Sequence, residues 1–134
     1  MLSTFLLLSF LIQGAPDTEL GLERGNERAA QPVSFNEDIR PILSDKCFAC
    51  HGPDAESRKG RLRLDTRDGA IRVRRGRTAI TPGDLEQSEL VERILTDDPD
   101  DLMPPVETEK HLSAQEKAIL LRWIEEGAEY QDHW

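Results

Sequence analysis

The stretch Cys47-Phe48-Ala49-Cys50-His51 decides the fold of this chain. It follows the pattern C-x-x-C-H, which is typical of a c-type haem attachment site. Two thiols at this spacing lie on one helical turn, so each can form a thioether to a haem vinyl group. The histidine that follows is then placed to bind the iron. The motif predicts one covalent haem c per chain, attached through Cys47 and Cys50, with His51 as an axial iron ligand.

Three other interpretations of the two cysteines compete with haem. A structural zinc site requires four protein ligands, and the candidates beyond the cysteines are His51, His111 and His133. A dithiol redox motif normally lies in a βαβ unit, whereas no strand-rich pattern precedes Cys47. A disulfide between adjacent turns would close a very short loop and constrain little chain entropy. Haem c is therefore the favoured interpretation.

An iron that carries electrons without binding a substrate needs a second axial ligand. Apart from Met1, the only methionine is Met103, and Met/His ligation is the cytochrome c arrangement that raises the reduction potential. Pro104 and Pro105 restrict the backbone beside it, which favours a fixed thioether. Met103 is therefore the predicted distal ligand. His111, an open sixth position and a merely core-filling methionine are the alternatives.

Composition limits both the partners and the core of the 134-residue chain. A formal net charge of −9 argues against nucleic acid or an anionic membrane surface as a partner. A hydrophobic content of 37% predicts a thin core, to which a covalent haem would add apolar surface. Residues 58–77 are rich in arginine and residues 84–109 are acidic. These segments are either solvated faces, a docking surface for a redox protein partner or, for one or two arginines, contacts to haem propionates.

The first 15 residues resemble a secretory signal peptide. The apolar run at residues 5–12 is too short to span a bilayer comfortably. Because Pro16 is a poor residue to follow a cut after Ala15, the cleavage site stays open. Residues 1–15 predict export to the periplasm or to the outer face of the cytoplasmic membrane. The alternatives are membrane association through this segment and a buried N-terminal helix. Residues 16–33 are polar and predict a disordered linker.

The folded domain is predicted to span residues 34–134. Ser34 and Glu37 have the spacing of a capping box. After a short first turn, a helix is expected to start at Pro41, because proline is tolerated only in the first turn of a helix. This helix would run through the haem motif. Gly52 is expected to end it in the left-handed conformation.

Three further helices are predicted from apolar periodicity and capping residues. They are a short helix capped by Asp65 or Thr66 and ending at Ile71, a helix from Leu85 to Thr96, and a helix from Ala114 to about Glu126 with a capping box at Ser113 and Glu116 and a terminal Gly127. Residues 72–77 are expected to form a basic loop. Phe35 and Trp123 are expected in the core, where their rings would also exclude water from a porphyrin.

An ordered set of motifs resembles the planctomycete-type cytochrome c domain, a class I-like mono-haem c-type cytochrome. The set comprises Phe35-x-x-Asp38-Ile39-Arg40-Pro41-Ile42-Leu43, the haem motif with Gly52, Leu62-Arg63-Leu64-Asp65-Thr66-Arg67-x-Gly69-Ala70, Pro82-Gly83, Ser88-Glu89-Leu90, Met103-Pro104-Pro105 and Leu121-x-Trp123-Ile124-x-x-Gly127-Ala128-x-Tyr130. The resemblance implies a small all-α, cytochrome c-like fold with long loops, wrapped around one covalent haem. It also implies that His51 is the proximal ligand and Met103 the distal one.

The expected function is one-electron transfer without chemistry on a substrate, so the protein is not expected to be an enzyme. The sequence shows no paired acid/base carboxylates, no nucleophile elbow and no phosphate-binding loop. In the family that the chain resembles, the domain usually begins a longer exported protein, so further domains beyond Trp134 are one possibility. The alternatives are therefore an electron-relay module of a larger exported multidomain enzyme, and a haem sensor with an open sixth position.

Overall fold

The computed structural model describes residues 27–132, which are mostly helical. The predicted signal peptide at residues 1–15 lies outside the described residues, as does the predicted linker as far as residue 26. Within the described part of the linker, residues 27–30 are helical and exposed. Residues Pro32–Trp134 form one compact unit. Among the described residues, no helix combines the length and the apolar character that crossing a bilayer requires.

The first helical segment is a wide turn followed by a regular helix. Phe35–Ile39 form a π-helical turn, closed by a bond from the Arg40 N–H to the Phe35 carbonyl, and α1 spans Arg40–Lys46. Pro41 lies within the first turn of α1, where its missing N–H costs nothing. The Ser34 hydroxyl accepts the Glu37 N–H at 3.4 Å, as predicted. The reciprocal bond is different: the Ser34 N–H donates to Asp38 Oδ2 at 2.8 Å.

The haem motif is not a simple continuation of α1. Cys47 departs from helical geometry, with φ −126° and ψ −38°, and α2 then spans Phe48–His51. The prediction that Gly52 is left-handed is wrong, because its φ is −123° and its ψ −159°. Glycine is required there for space: a Cβ would overlap the Phe48 carbonyl oxygen.

The middle of the chain contains one short helix and one hairpin. Helix α3 spans Arg67–Ile71 and is capped by Thr66, whose hydroxyl accepts the Gly69 N–H at 3.2 Å. Strands β1 (Val73–Arg74) and β2 (Arg77–Thr78) pair antiparallel, with Val73 opposite Thr78. The expected loop at 72–77 is therefore a hairpin, and the all-α prediction needs this small correction. The two turn residues, Arg75 and Gly76, have φ values of 51° and 78°, as a two-residue type I′ turn requires.

The C-terminal half carries the two remaining helices, α4 at Glu89–Leu95 and α5 at Ala114–Glu125. Helix α4 starts later than predicted because the buried Ser88 hydroxyl accepts the Thr81 N–H and donates to the Asp84 carbonyl, which folds the preceding residues into a turn. Helix α5 has the predicted complete capping box. Gly127 has a φ of 107°, as expected for its left-handed cap. A 3₁₀ turn at Val106–Thr108 lies between α4 and α5.

The core joins the first helical segment to α5. Phe35 and Trp123 are buried, as predicted, and their ring centroids are 5.7 Å apart. The Tyr130 ring packs against both at a tilt, with centroids 4.3 Å from Phe35 and 5.2 Å from Trp123. The Tyr130 hydroxyl donates to the Leu64 carbonyl at 2.8 Å. The rest of the buried core consists of Ile39, Ile42, Leu43, Leu64, Ala70, Ala79, Ile80, Leu90, Val91, Ile94, Leu120, Ile124 and Ala128.

Candidate functional site

The motif turn, residues 47–51, brings both thiols and the imidazole onto one short helical segment. The Cys47 N–H donates to the Leu43 carbonyl, and the His51 N–H donates to the Cys47 carbonyl, each at 2.8 Å. Cys47 and Cys50 are free thiols and are both half-buried. Main-chain hydrogen bonds thus fix the backbone that carries the three predicted haem-binding side chains.

The loop after the motif turn folds back and satisfies its carbonyl groups. The Lys59 N–H donates to the Cys50 carbonyl at 2.7 Å, and the Leu64 N–H donates to the His51 carbonyl at 2.8 Å. Arg58 donates from Nε to the Gly52 carbonyl at 3.1 Å. The last carbonyls of a helix have no partner within the helix, so these three bonds fix the end of the segment that carries the imidazole.

The His51 imidazole is partly buried, and this affects both its hydrogen bonding and its pKa. Its Nδ1 is buried and has no hydrogen-bond partner. Burial lowers the pKa of His51, and the charge of Arg74 lowers it further, against an opposing contribution from the Lys59 backbone. A neutral imidazole is the form that binds a metal. A half-buried imidazole on one turn with two free thiols is the donor set that a covalent haem requires, so His51 fits an iron ligand.

Arg74 is the member of the basic segment that acts on His51. It lies on β1, and its Nη1 donates to the Gly69 carbonyl at 2.9 Å and to the Arg72 carbonyl at 3.3 Å. Another member, Arg77, pairs instead with Glu92 of the acidic segment. The two charged segments therefore partly neutralise each other within the fold.

The electrostatics of Cys47 argue against a dithiol redox site. Burial raises the pKa of the Cys47 thiol to about 12, and the charge of Asp45 adds to the shift. An attacking redox cysteine needs a lowered pKa, because the thiolate is the nucleophile. The zinc interpretation also lacks support, since no three His, Cys, Asp or Glu side chains gather into a metal-binding group anywhere in residues 27–132.

The second predicted ligand lies on the strap, which we define as residues 97–112 between α4 and α5. Met103 is half-buried, and the following Pro104 is buried. The Met103 N–H donates to the Arg93 carbonyl at 2.9 Å, and the Leu102 N–H donates to the Asp98 carbonyl at 3.0 Å. Met103 thus lies on an irregular segment whose main chain is hydrogen-bonded to Arg93 of α4.

Two side-chain anchors that sequence reasoning missed hold the strap. At its upstream end, Arg93 pairs with Asp101 at 2.6 Å and with Glu89 at 3.2 Å. At its downstream end, the Lys110 ammonium bonds to the Asp45 carbonyl and lies 3.2 Å from Asp45 Oδ1. The i,i+4 spacing of the Glu89–Arg93 pair is visible in the sequence, whereas the other contacts require the fold.

The downstream anchor brings the strap to the motif turn. Asp45 precedes Cys47 by two positions, and the Lys110 charge acts on the Cys47 thiol. His111 is exposed, unlike Met103. The remaining zinc or ligand candidate, His133, lies outside the described residues. Of the predicted iron ligands that the structure describes, His51 and Met103 are therefore half-buried, and His111 is exposed.

One comparison with known proteins found a match to part of the chain. The family model for planctomycete cytochrome C matches residues 47–107, a range that begins at Cys47 and includes Met103. This match confirms the resemblance that the sequence motifs indicated. No curated protein and no solved structure matches the chain.

Proposed function

Because residues 47–107 match a cytochrome c family, we propose that the protein is a one-electron carrier that holds one covalent haem c. The observation that carries this proposal is that a half-buried histidine and two free thiols lie on one turn of the matched segment. The chain performs no bond chemistry on a substrate. When bound, the haem supplies an iron that alternates between Fe(II) and Fe(III).

The motif turn would hold the haem. Cys47 and Cys50 would provide the thioether sulfurs, and His51 would provide a nitrogen ligand to the iron. Burial lowers the pKa of His51, which favours the neutral imidazole. The bonds from Lys59 and Leu64 to the motif carbonyls keep it in place through an oxidation change. A ligand that does not move costs little reorganisation during electron transfer.

Met103 provides the distal ligand in this proposal. Its support is the half-buried thioether, the bond from its N–H to the Arg93 carbonyl, and the anchor from Lys110 to Asp45, two positions before Cys47. His111 is exposed, which disfavours it as an iron ligand. A thioether favours Fe(II), so Met/His ligation raises the potential above that of a bis-His site.

The partner in this proposal is another exported redox protein. Export is supported by residues 1–15, which resemble a signal peptide, and by covalent haem, which is attached outside the cytoplasm. The periplasm or the outer face of the cytoplasmic membrane is the proposed location. The net charge of −9 disfavours nucleic acid as a partner.

The covalent haem is tested by a reduced-minus-oxidised absorption spectrum of protein made in a host that matures haem c. We expect a c-type α band that stays with the protein after acid–acetone extraction. Quantifying iron against protein should give one haem per chain. Protein from the maturing host that carries no such band would contradict the whole proposal.

The distal ligand is tested with Met103→Ala and the matched variant His111→Ala. Loss of the thioether should abolish the weak far-red methionine–iron band and lower the potential, while His111→Ala should leave both unchanged. The ferrous wild type should bind carbon monoxide slowly, because Met103 must leave first. Rapid binding would favour the sensor interpretation with an open sixth position.

A further inference from the structure

Arg93 lies where α4 meets the strap, and it contacts both. Its carbonyl accepts the Met103 N–H at 2.9 Å. Its Nη1 donates to Asp101 Oδ1 at 2.6 Å and to the Asp101 carbonyl at 3.4 Å. Its Nη2 donates to Glu89 Oε1 at 3.2 Å. One residue therefore holds the strap at two nearby positions, one through its main chain and one through its side chain.

The guanidinium is itself fixed by the helix. Glu89 lies one turn before Arg93 and accepts a hydrogen bond from Nη2, whereas Asp101 accepts one from Nη1. A planar guanidinium can bridge two carboxylates, which a lysine ammonium does with less geometric control. The Arg93 side chain is 32% exposed and the Asp101 side chain 61% exposed, so solvent screens much of this ion pair.

We propose that Arg93 is the positioning residue for Met103 and slows the departure of the thioether from the iron. This inference rests on the proposed role of Met103 as the distal ligand. Asp101 precedes Met103 by two positions, so releasing the guanidinium frees the chain directly beside the ligand. The other anchor, Lys110, lies seven positions beyond Met103 and leaves a longer free segment between them.

The expected effect follows from the ordering of the loop. If the strap were not anchored, the Met103 thioether would have many more conformations available after it left the iron, and it would rebind less often. Holding Asp101 and the Met103 N–H confines it near its bonded position. Loss of the grip should therefore raise the rate at which the thioether leaves, while the haem stays attached through the cysteines.

The test compares Arg93→Gln, Asp101→Asn and the double variant in the holoprotein. The readouts are the rate of carbon monoxide binding to the ferrous protein and the temperature at which the far-red band disappears. Each single variant should raise the binding rate about two- to fivefold, the range for a partly exposed ion pair. The double variant should add little to either single one, because both remove the same contact. Arg93→Lys should restore part of the loss.

The matched control is Arg122→Gln, which removes another i,i+4 pair, to Glu126, at a similar exposure of 38%. It should leave the binding rate unchanged. Raised salt should speed binding in the wild type and leave Asp101→Asn insensitive. Exchange of the Met103 amide with solvent should accelerate in Arg93→Gln, which reports on the strap without using the iron.

Two results would refute the positioning role of Arg93. Only the first of them would also refute the role of Met103 as the distal ligand. A wild type without the far-red band would remove both the role of Met103 and the role of Arg93. A wild type that has the band, together with an Arg93→Gln variant that behaves like Arg122→Gln, would leave Met103 as the ligand and refute the positioning role alone.

Discussion

The motif turn and the strap carry the two proposed axial ligands in opposite ways. Successive main-chain hydrogen bonds hold the motif turn, and the loop that follows returns to close them. The strap also has main-chain bonds, at Leu102 and Met103, but the side chains of Arg93 and Lys110 hold it in addition. Main-chain bonds are independent of sequence detail, whereas side-chain anchors change with single substitutions. We therefore expect single substitutions to change the surroundings of Met103 more readily than those of His51.

The largest effect should come from the double variant Cys47→Ser/Cys50→Ser. It removes both thioether sulfurs, so acid–acetone extraction should recover essentially all of the haem, against none from the wild type. Ala49→Ser, at the exposed position between the two cysteines, is the control and should retain covalent haem. Haem that resists extraction in the double variant would show that attachment does not use these residues.

The next largest effect is expected from Gly52→Ala, which tests the rigid end of the motif turn. The new Cβ would overlap the Phe48 carbonyl oxygen, so the backbone must shift. We expect a loss of about 3 kcal/mol in unfolding free energy, the upper end for overpacking. Gly60→Ala is the control: its φ is 60° and nothing lies near the new Cβ. It should cost only ~1–2 kcal/mol, the strain of a left-handed residue. Equal losses in denaturant titrations would contradict the steric argument.

A smaller effect is expected from Tyr130→Phe, which removes a hydrogen bond between the C-terminal segment and the loop after the motif turn. The variant loses the hydrogen bond to the Leu64 carbonyl, at a cost of about 1 kcal/mol. Burial raises the pKa of Tyr130 above its ordinary value of 10.0. The stability that the protonated hydroxyl contributes is complete below that value and is lost as the pH rises above it. Unfolding measured between pH 8 and about 11 should show a shallower decline in the variant. Parallel curves would place the alkaline sensitivity elsewhere.

The smallest effect is expected from Lys110→Gln, the downstream anchor of the strap. The Lys110 side chain is 43% exposed, so water and salt replace much of what the variant removes. Carbon monoxide binding to the ferrous protein should accelerate less than twofold, below the change for Arg93→Gln. Lys117→Gln on α5 serves as the control. A larger change in Lys110→Gln than in Arg93→Gln would reverse the ranking of the two anchors.

Local signals predicted the parts of the fold that local chemistry determines. The capping box of α5 and its terminal Gly127 need only residues that are close in sequence, and both are present. Thr66 caps α3 for the same reason. Two of the corrected expectations depend on backbone geometry that the residue types did not signal. The hairpin turn uses Arg75 at a positive φ, where asparagine would have signalled it, and Gly52 is needed for its missing Cβ rather than for its φ.

The sequence identified the candidate iron ligands but not the side-chain contacts that hold the segments carrying them. Cys47, Cys50 and His51 form a contiguous motif, and Met103 is singled out because the chain has no other internal methionine. The bonds of Lys110 to Asp45 span 65 positions, and no periodicity indicates such a pair. The basic and acidic segments were visible as charge patterns, yet their pairing through Arg77 and Glu92 depends on the hairpin.

The loop from Gly52 to Leu64 has a practical consequence for attaching the protein to a surface. It leaves the motif turn and returns to it, while its tip, residues 53–57, is exposed. In the proposed holoprotein both native thiols are bound to haem, so an Ala55→Cys variant would carry a single reactive thiol. Coupling that thiol to a gold electrode would orient every molecule alike, a few residues from the proximal ligand. The same tip offers an insertion point for a peptide tag that leaves both ends of the loop bonded as they are.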